Sequence, residues 1–304
     1  MKKLILFLAS VLSLSACQIA AGPGDDEIYV VTTTAMIGDM VQNIAGDEVY
    51  VESLMGTGTD PHLYTPTASD MNTLADADMI FYNGLHLEGK MIEIFESFEE
   101  EGRAIYAVAD GVDVADLIES DANYQANDPH IWFDLEIWSD ASEYVEDALV
   151  AFDAENEDLY RSNGELYRAN LAELNEWAQD QINLIPEESR VLITAHDAFE
   201  YFGRAYGMEV MGVQGISTDS DYGLQDLERL IDTVIERNVS AIFIESSVSP
   251  KSIEALKAGV EAEGADLEIG GELFSDAMGA EGTEEGTHFG MVRHNVNTIV
   301  NALK

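Results

Sequence analysis

Cross-linking sulfur is nearly absent. The 304 residues hold one cysteine, Cys17, so no internal disulfide can form. Bases are scarce as well: Lys and Arg number 14 against 59 Asp and Glu, a formal charge of −45. No basic cluster is longer than Lys2-Lys3, and a surface of this sign repels phosphate backbones, which excludes nucleic acid as a partner. Long apolar runs are missing too. The stretch Leu4 to Leu14 falls well short of the roughly 20 residues that span a bilayer. With six prolines and no repeat or low-complexity tract, and with 46% hydrophobic residues, the chain nevertheless has the material for a folded core rather than a charge-expanded coil.

The acids lie along the whole chain and not in one tail. Self-repulsion of this size opposes a compact state at low ionic strength and is screened as the Debye length shrinks to about 3 Å at 1 M salt. A halophilic or marine source is therefore expected. Lys2-Lys3, the short apolar stretch and the small residues after it have the pattern of a secretory signal. Its end, Leu14-Ser15-Ala16-Cys17, resembles a bacterial lipobox, so residues 1–16 are expected to be removed and Cys17 lipidated. The mature chain then carries −47, since the removed segment holds two lysines and no acids.

At this length two lobes are expected. Beyond a tether over residues 17–26, β-branched runs at Ile28–Thr33, Val49–Leu54, Met79–Tyr82 and Ala104–Val108 alternate with helical patterns such as Met36–Ala45. The second half repeats the alternation independently: strands at Val191–Thr194, Glu209–Val213 and Ala241–Glu245, helices at Leu224–Arg237 and Ser252–Ala262. Both halves are thus α/β with parallel sheets. From Asn156 to Ile185 there is no proline, and Tyr167, Leu171, Leu174, Ala178, Ile182 and Ile185 recur at steps of three and four. This is either one long connecting helix or two shorter ones broken near Gly164, stopped in both cases by Pro186. The expected division is an N-terminal lobe over 27–155, a linking helix over 156–186 and a C-terminal lobe over 187–304.

Six histidines carry the chemistry. Asp60-Pro61-His62 and Asp128-Pro129-His130 repeat one local grammar, with proline fixing the backbone before each histidine. His196 ends the buried run that begins at Val191, where open α/β sheets place their ligands. Asp276 sits in a further loop near a strand end. Imidazole with carboxylate suits zinc or manganese. His86, His288 and His294 are expected to be surface or hydrogen-bonded residues, and Trp132, Trp138 and Trp177 to be packing residues.

Thr32-Thr33-Thr34-Ala35-Met36-Ile37-Gly38-Asp39, Asp60-Pro61-His62-Leu63-Tyr64, Tyr82-Asn83-Gly84-Leu85-His86-Leu87-Glu88, Asp128-Pro129-His130-Ile131-Trp132, Thr194-Ala195-His196-Asp197-Ala198-Phe199, Ile244-Glu245-Ser246-Ser247 and Ser275-Asp276-Ala277-Met278-Gly279 occur in that order. Together they resemble the metal-binding receptors of bacterial zinc and manganese ABC importers, the TroA-like family. The resemblance implies two α/β lobes bridged by one long helix, with a metal in the cleft. It implies His62 and His130 as ligands from the first lobe and His196 and Asp276 from the second. It also implies one divalent ion, zinc or manganese, as transported cargo, and as partners a membrane permease with its cytoplasmic ATPase. A monomer, lipid-anchored outside the cytoplasm through Cys17, is the expected form.

Two departures bear on the metal. Many zinc-dedicated members have a histidine-rich loop before the second ligand, whereas residues 111–129 are acidic and lack histidine. Many manganese-dedicated members carry glutamate where this chain has His196. The set resembles that of members taking either ion. The alternatives are an extracytoplasmic zinc hydrolase, which would need an open coordination position and a general base, and a surface adhesin. No His-Glu-x-x-His helix is present, so no enzymatic activity is expected.

Overall fold

The computed structural model describes residues 22–24, 27–120, 126–219 and 223–304. Cys17 and the segment expected to be a signal lie outside the described residues.

The first lobe opens with β1 (Ile28–Thr34), α1 (Ala35–Ala45), β2 (Val49–Met55), α2 (Ala68–Asp76), β3 (Met79–Tyr82), α3 (Ile92–Glu100) and β4 (Ala104–Ala107). The strands form one parallel sheet in the order β2-β1-β3-β4. Burial on both faces explains the β-branched, nearly unbroken hydrophobicity of the central strand β1. Each strand delivers its C-terminal end to the same edge of the sheet, and the loops on that edge carry the histidines.

Helices α4 (Leu135–Phe152) and α5 (Glu157–Ile182) follow. The latter is a single helix of 26 residues, about 39 Å long, and its buried stripe runs Tyr160, Gly164, Tyr167, Leu171, Leu174, Ala178, Ile182. Gly164 does not break it. A Cβ there would overlap the Glu146 carboxylate, which is buried and bonded at 2.7 Å to both Arg161 and Arg168; the glycine makes room for that ion pair. The helix ends sooner than Pro186 alone requires. Residues 183–185 tighten into turns, Leu184 N–H to Gln181 and Ile185 N–H to Ile182, which swing Ile185 into the core.

The second lobe contains β5 (Val191–His196), α6 (Glu200–Tyr206), β6 (Glu209–Gln214), α7 (Leu224–Arg237), β7 (Ala241–Glu245), α8 (Lys251–Ala262), β8 (Glu268–Leu273) and α9 (His288–Leu303). Strands β5 and β6 pair in parallel, as do β7 and β8, and β5 lies beside β7. One hydrophobic cluster unites α1, α4, α5 and α9 with Leu192 and Phe199 of the second lobe. An apolar junction of this kind opposes free rotation of the lobes. Among the described residues no helix is long and apolar enough to cross a membrane.

Candidate metal centre

In the loops after β2 and β4, the repeated Asp-Pro-His has a local purpose. Asp60 Oδ1 accepts the backbone N–H of His62 at 2.9 Å, and Asp128 Oδ1 accepts that of His130 at 2.9 Å. Each aspartate thereby closes a turn that presents the imidazole two residues on. The two then diverge. Asp128 Oδ1 also lies 2.7 Å from His130 Nδ1, whereas Asp60 Oδ2 accepts the Thr218 hydroxyl at 2.6 Å from the second lobe.

His196 is the last residue of β5 and Glu245 the last of β7. Their adjacency lets Glu245 take both His196 donors, the backbone N–H at 2.8 Å and Nδ1 at 2.5 Å. Asp276 follows β8 by three residues. Asn295 of α9 anchors that loop by accepting from Phe274 N at 2.9 Å and donating to Phe274 O at 2.7 Å.

The structure brings His62, His130, His196 and Asp276 together, their candidate ligand atoms all within 4.8 Å of one another. His62 Nε2 is 3.3 Å from His130 Nε2, and Asp276 oxygens lie 3.8, 3.5 and 3.2 Å from Nε2 of His62, His130 and His196. A tetrahedral zinc with bonds of about 2.0–2.1 Å would set its donors about 3.3–3.4 Å apart. All four residues are at most 4% exposed. His196 Nε2 and both Asp276 oxygens are buried without a hydrogen-bond partner among the described residues. Leaving such atoms unsatisfied costs about 1–3 kcal/mol each, a cost that a shared cation would offset.

The charges suit an ion as well. Burial pushes the His62 pKa down to about 3, leaving a neutral imidazole with a free lone pair. For Asp276, burial favours the neutral acid, but the surrounding histidines outweigh it and hold the pKa well below the carboxylate range. Burial also opposes a charge on His196, yet Glu245 and Asp276 outweigh it and raise its pKa well above the ordinary value. On the other side of both rings, Nδ1 of His130 and of His196 lies against a carboxylate, which turns each Nε2 inward, where on His196 an incoming ion displaces the proton.

The remaining histidines stay outside this cluster. His288 is buried with Nε2 bonded to Trp132 O at 2.9 Å, and burial pushes its pKa down to about 4. His294 bonds Glu272 O at 3.0 Å, and His86 is exposed on a turn. Trp132 and Trp138 are core residues, and Trp177 packs under Arg293. Sequence reasoning gave no role to Asp60, Asp128 or Glu245. The doubled Asp-Pro-His was a usable signal for the first two; for Glu245 the signals were its place at a strand end and its presence in the family-like segment Ile244-Glu245-Ser246-Ser247.

A family model described as zinc-uptake complex component A, periplasmic, matches residues 30–302. The chain is 44% identical over 300 residues to the manganese-binding lipoprotein MntA of Bacillus subtilis, covering 99% of this chain and 97% of that one. It is 45% identical over 280 residues to the zinc-binding protein TroA of Treponema pallidum, covering 92% and 90%. The solved structure of that periplasmic zinc binding protein superposes with a TM-score of 0.88 over 91% of this chain and 99% of the other.

Proposed function

The chain belongs to the periplasmic zinc-uptake component A family, and from that membership we propose that it captures one divalent transition metal, zinc or manganese, through His62, His130, His196 and Asp276. It is a receptor and not an enzyme, and it works outside the cytoplasm, where it hands the ion to the membrane permease of an ABC importer driven by a cytoplasmic ATPase. The observation that carries the ligand assignment is the convergence of four buried donors, with those of His196 and Asp276 lacking any partner outside the cluster among the described residues.

Four protein donors fill a tetrahedron and leave no open position for an attacking water, so the arrangement suits carriage rather than hydrolysis. Three imidazoles favour zinc over manganese by the Irving–Williams order, while the two inward oxygens of Asp276 permit a fifth bond that suits manganese. Both ions bind on this reading, zinc the tighter. The N-terminal lobe over 27–155 and the C-terminal lobe over 187–304 each supply two ligands, joined by the linking segment 156–186 that contains α5. Cys17 carries a lipid that tethers a monomer to the outer face of a membrane, and the acid-rich surface fits a halophilic habitat.

Competition titration against a chromophoric chelator at fixed pH tests the assignment. One equivalent of zinc should bind, and His62→Ala, His130→Ala and His196→Ala should each weaken it by orders of magnitude. Unchanged zinc affinity in any one of them would remove that residue from the site.

A further inference from the structure

Trp132 ties together two ligands that come from different lobes. Its indole Nε1 donates to Ser275 O at 3.0 Å, the carbonyl immediately before Asp276. Its ring stands edge-on to His130, centroids 5.3 Å apart, and its own carbonyl accepts from His288 Nε2. Trp132 and Ser275 are essentially fully buried.

Beyond the histidines it faces, nearest His196 Nε2 of its own lobe at 3.2 Å, the Asp276 carboxylate makes no hydrogen bond among the described residues. Its place is therefore set largely through the main chain, where Asn295 and Trp132 hold the two residues before it from opposite sides; farther along, the Ser246 hydroxyl reaches Ala277 O at 3.5 Å and the Thr57 hydroxyl reaches Gly279 O at 3.1 Å. Asn295 fixes Phe274 to the second lobe, and Trp132 fixes Ser275 to the first. Without the indole donor the Asn295 anchor stays, but the loop is untied from His130. The edge then free to widen is the 3.5 Å separation of Asp276 Oδ1 from His130 Nε2. A wider edge admits water and raises the coordination number, which costs a four-coordinate zinc more than it costs manganese, an ion at ease with additional oxygen donors.

We propose that Trp132 is a positioning residue that sets the zinc-over-manganese preference by holding the Asp276 loop at a fixed distance from His130. The proposal rests on the ligand assignment above. Trp138 is the control: it is buried as well, its indole donates to the Tyr167 hydroxyl at 3.1 Å, and it reaches Trp132 only through the His288 ring, centroids 5.3 Å apart, with no bond to the Asp276 loop.

The test uses the full chain carrying Trp132→Phe, Trp138→Phe or His130→Ala. Zinc and manganese affinities are measured by chelator competition, and the d–d absorption of the cobalt(II)-loaded protein reports coordination number. Trp132→Phe should weaken zinc about 10-fold, weaken manganese by less, and lower the cobalt band intensity; Trp138→Phe should change neither the ratio nor the spectrum. A parental metal ratio and cobalt spectrum in Trp132→Phe, or equal shifts in both tryptophan variants, would overturn the role. Retained zinc affinity in His130→Ala would instead overturn the ligand assignment beneath it. If Trp132→Phe does not fold, the 15N indole resonances of the unsubstituted protein decide: the Trp132 N–H should be protected from exchange with and without metal, and rapid exchange in the metal-free form overturns the strut.

Discussion

Glu245→Gln removes one charge from behind His196 while keeping the shape of the side chain. Glu245 accepts from both the backbone N–H and Nδ1 of His196, and an amide offers one acceptor where the carboxylate offers two. Loss of a carboxylate behind a ligating imidazole typically costs 10–100-fold in metal affinity, about 1.4–2.7 kcal/mol. The pH dependence should change with it. In the metal-free protein Glu245 and Asp276 raise the His196 pKa, so an incoming metal displaces a proton and affinity climbs with pH. Because the folded value is raised above the unfolded one, the proton stabilises the metal-free fold fully below about pH 6.5, and this contribution fades as pH rises through the folded value. In the variant Asp276 alone opposes burial, so both slopes should flatten. Chelator competition and thermal melts at several pH values read the two effects. Parental zinc affinity with a parental pH slope would refute the reasoning.

Gly164→Ala should destabilise the fold by about 1–3 kcal/mol by driving a methyl group into the Glu146 carboxylate held by Arg161 and Arg168; an unchanged melting temperature would contradict the close approach. The melting temperature should rise between about 0.1 and 2 M KCl as screening relieves self-repulsion, and a flat or falling curve would defeat the halophilic reading. Cys17→Ser should release the protein into the soluble fraction, and a variant that stays on the membrane would rule out the lipid anchor.

Where one physical signal dominated, the sequence was legible. The β-branched runs located β1 to β7 to within about two residues; two-sided burial is the reason for β1, β3, β5 and β7, while the half-buried β2, β4 and β6 were marked by β-branched and aromatic residues alone. The apolar stripe located α5, although Gly164 left its continuity open until Glu146 supplied the reason for a missing side chain. Strand β8 was harder. Gly270 is the extra residue of a bulge opposite Ile242 and Phe243, and its backbone packs against Ala302 of α9, so the alternation of a strand is interrupted. Helix α9 holds three valines and three asparagines among its 16 residues, types of modest helix propensity, and is held by burial of Met291, Val296 and Ile299. The three histidines stood out because histidine is scarce here, whereas Asp276 was named only through the family resemblance of its segment. The carboxylates behind two of the histidines were harder to single out: Asp128 and Glu245 are two among 59 acids. Although the doubled Asp-Pro-His marks Asp128, only the fold shows that it and Glu245 face an imidazole while Asp60 bonds the His62 backbone and Thr218 instead.

The central claim is that one metal ion sits among four donors drawn from two lobes. Crystals of the zinc-loaded protein, with anomalous scattering collected on either side of the zinc edge, test it directly. The account predicts a single strong peak about 2.0–2.2 Å from Nε2 of His62, His130 and His196 and from an Asp276 oxygen. A peak elsewhere, or one that leaves any of these residues beyond bonding distance, would contradict it.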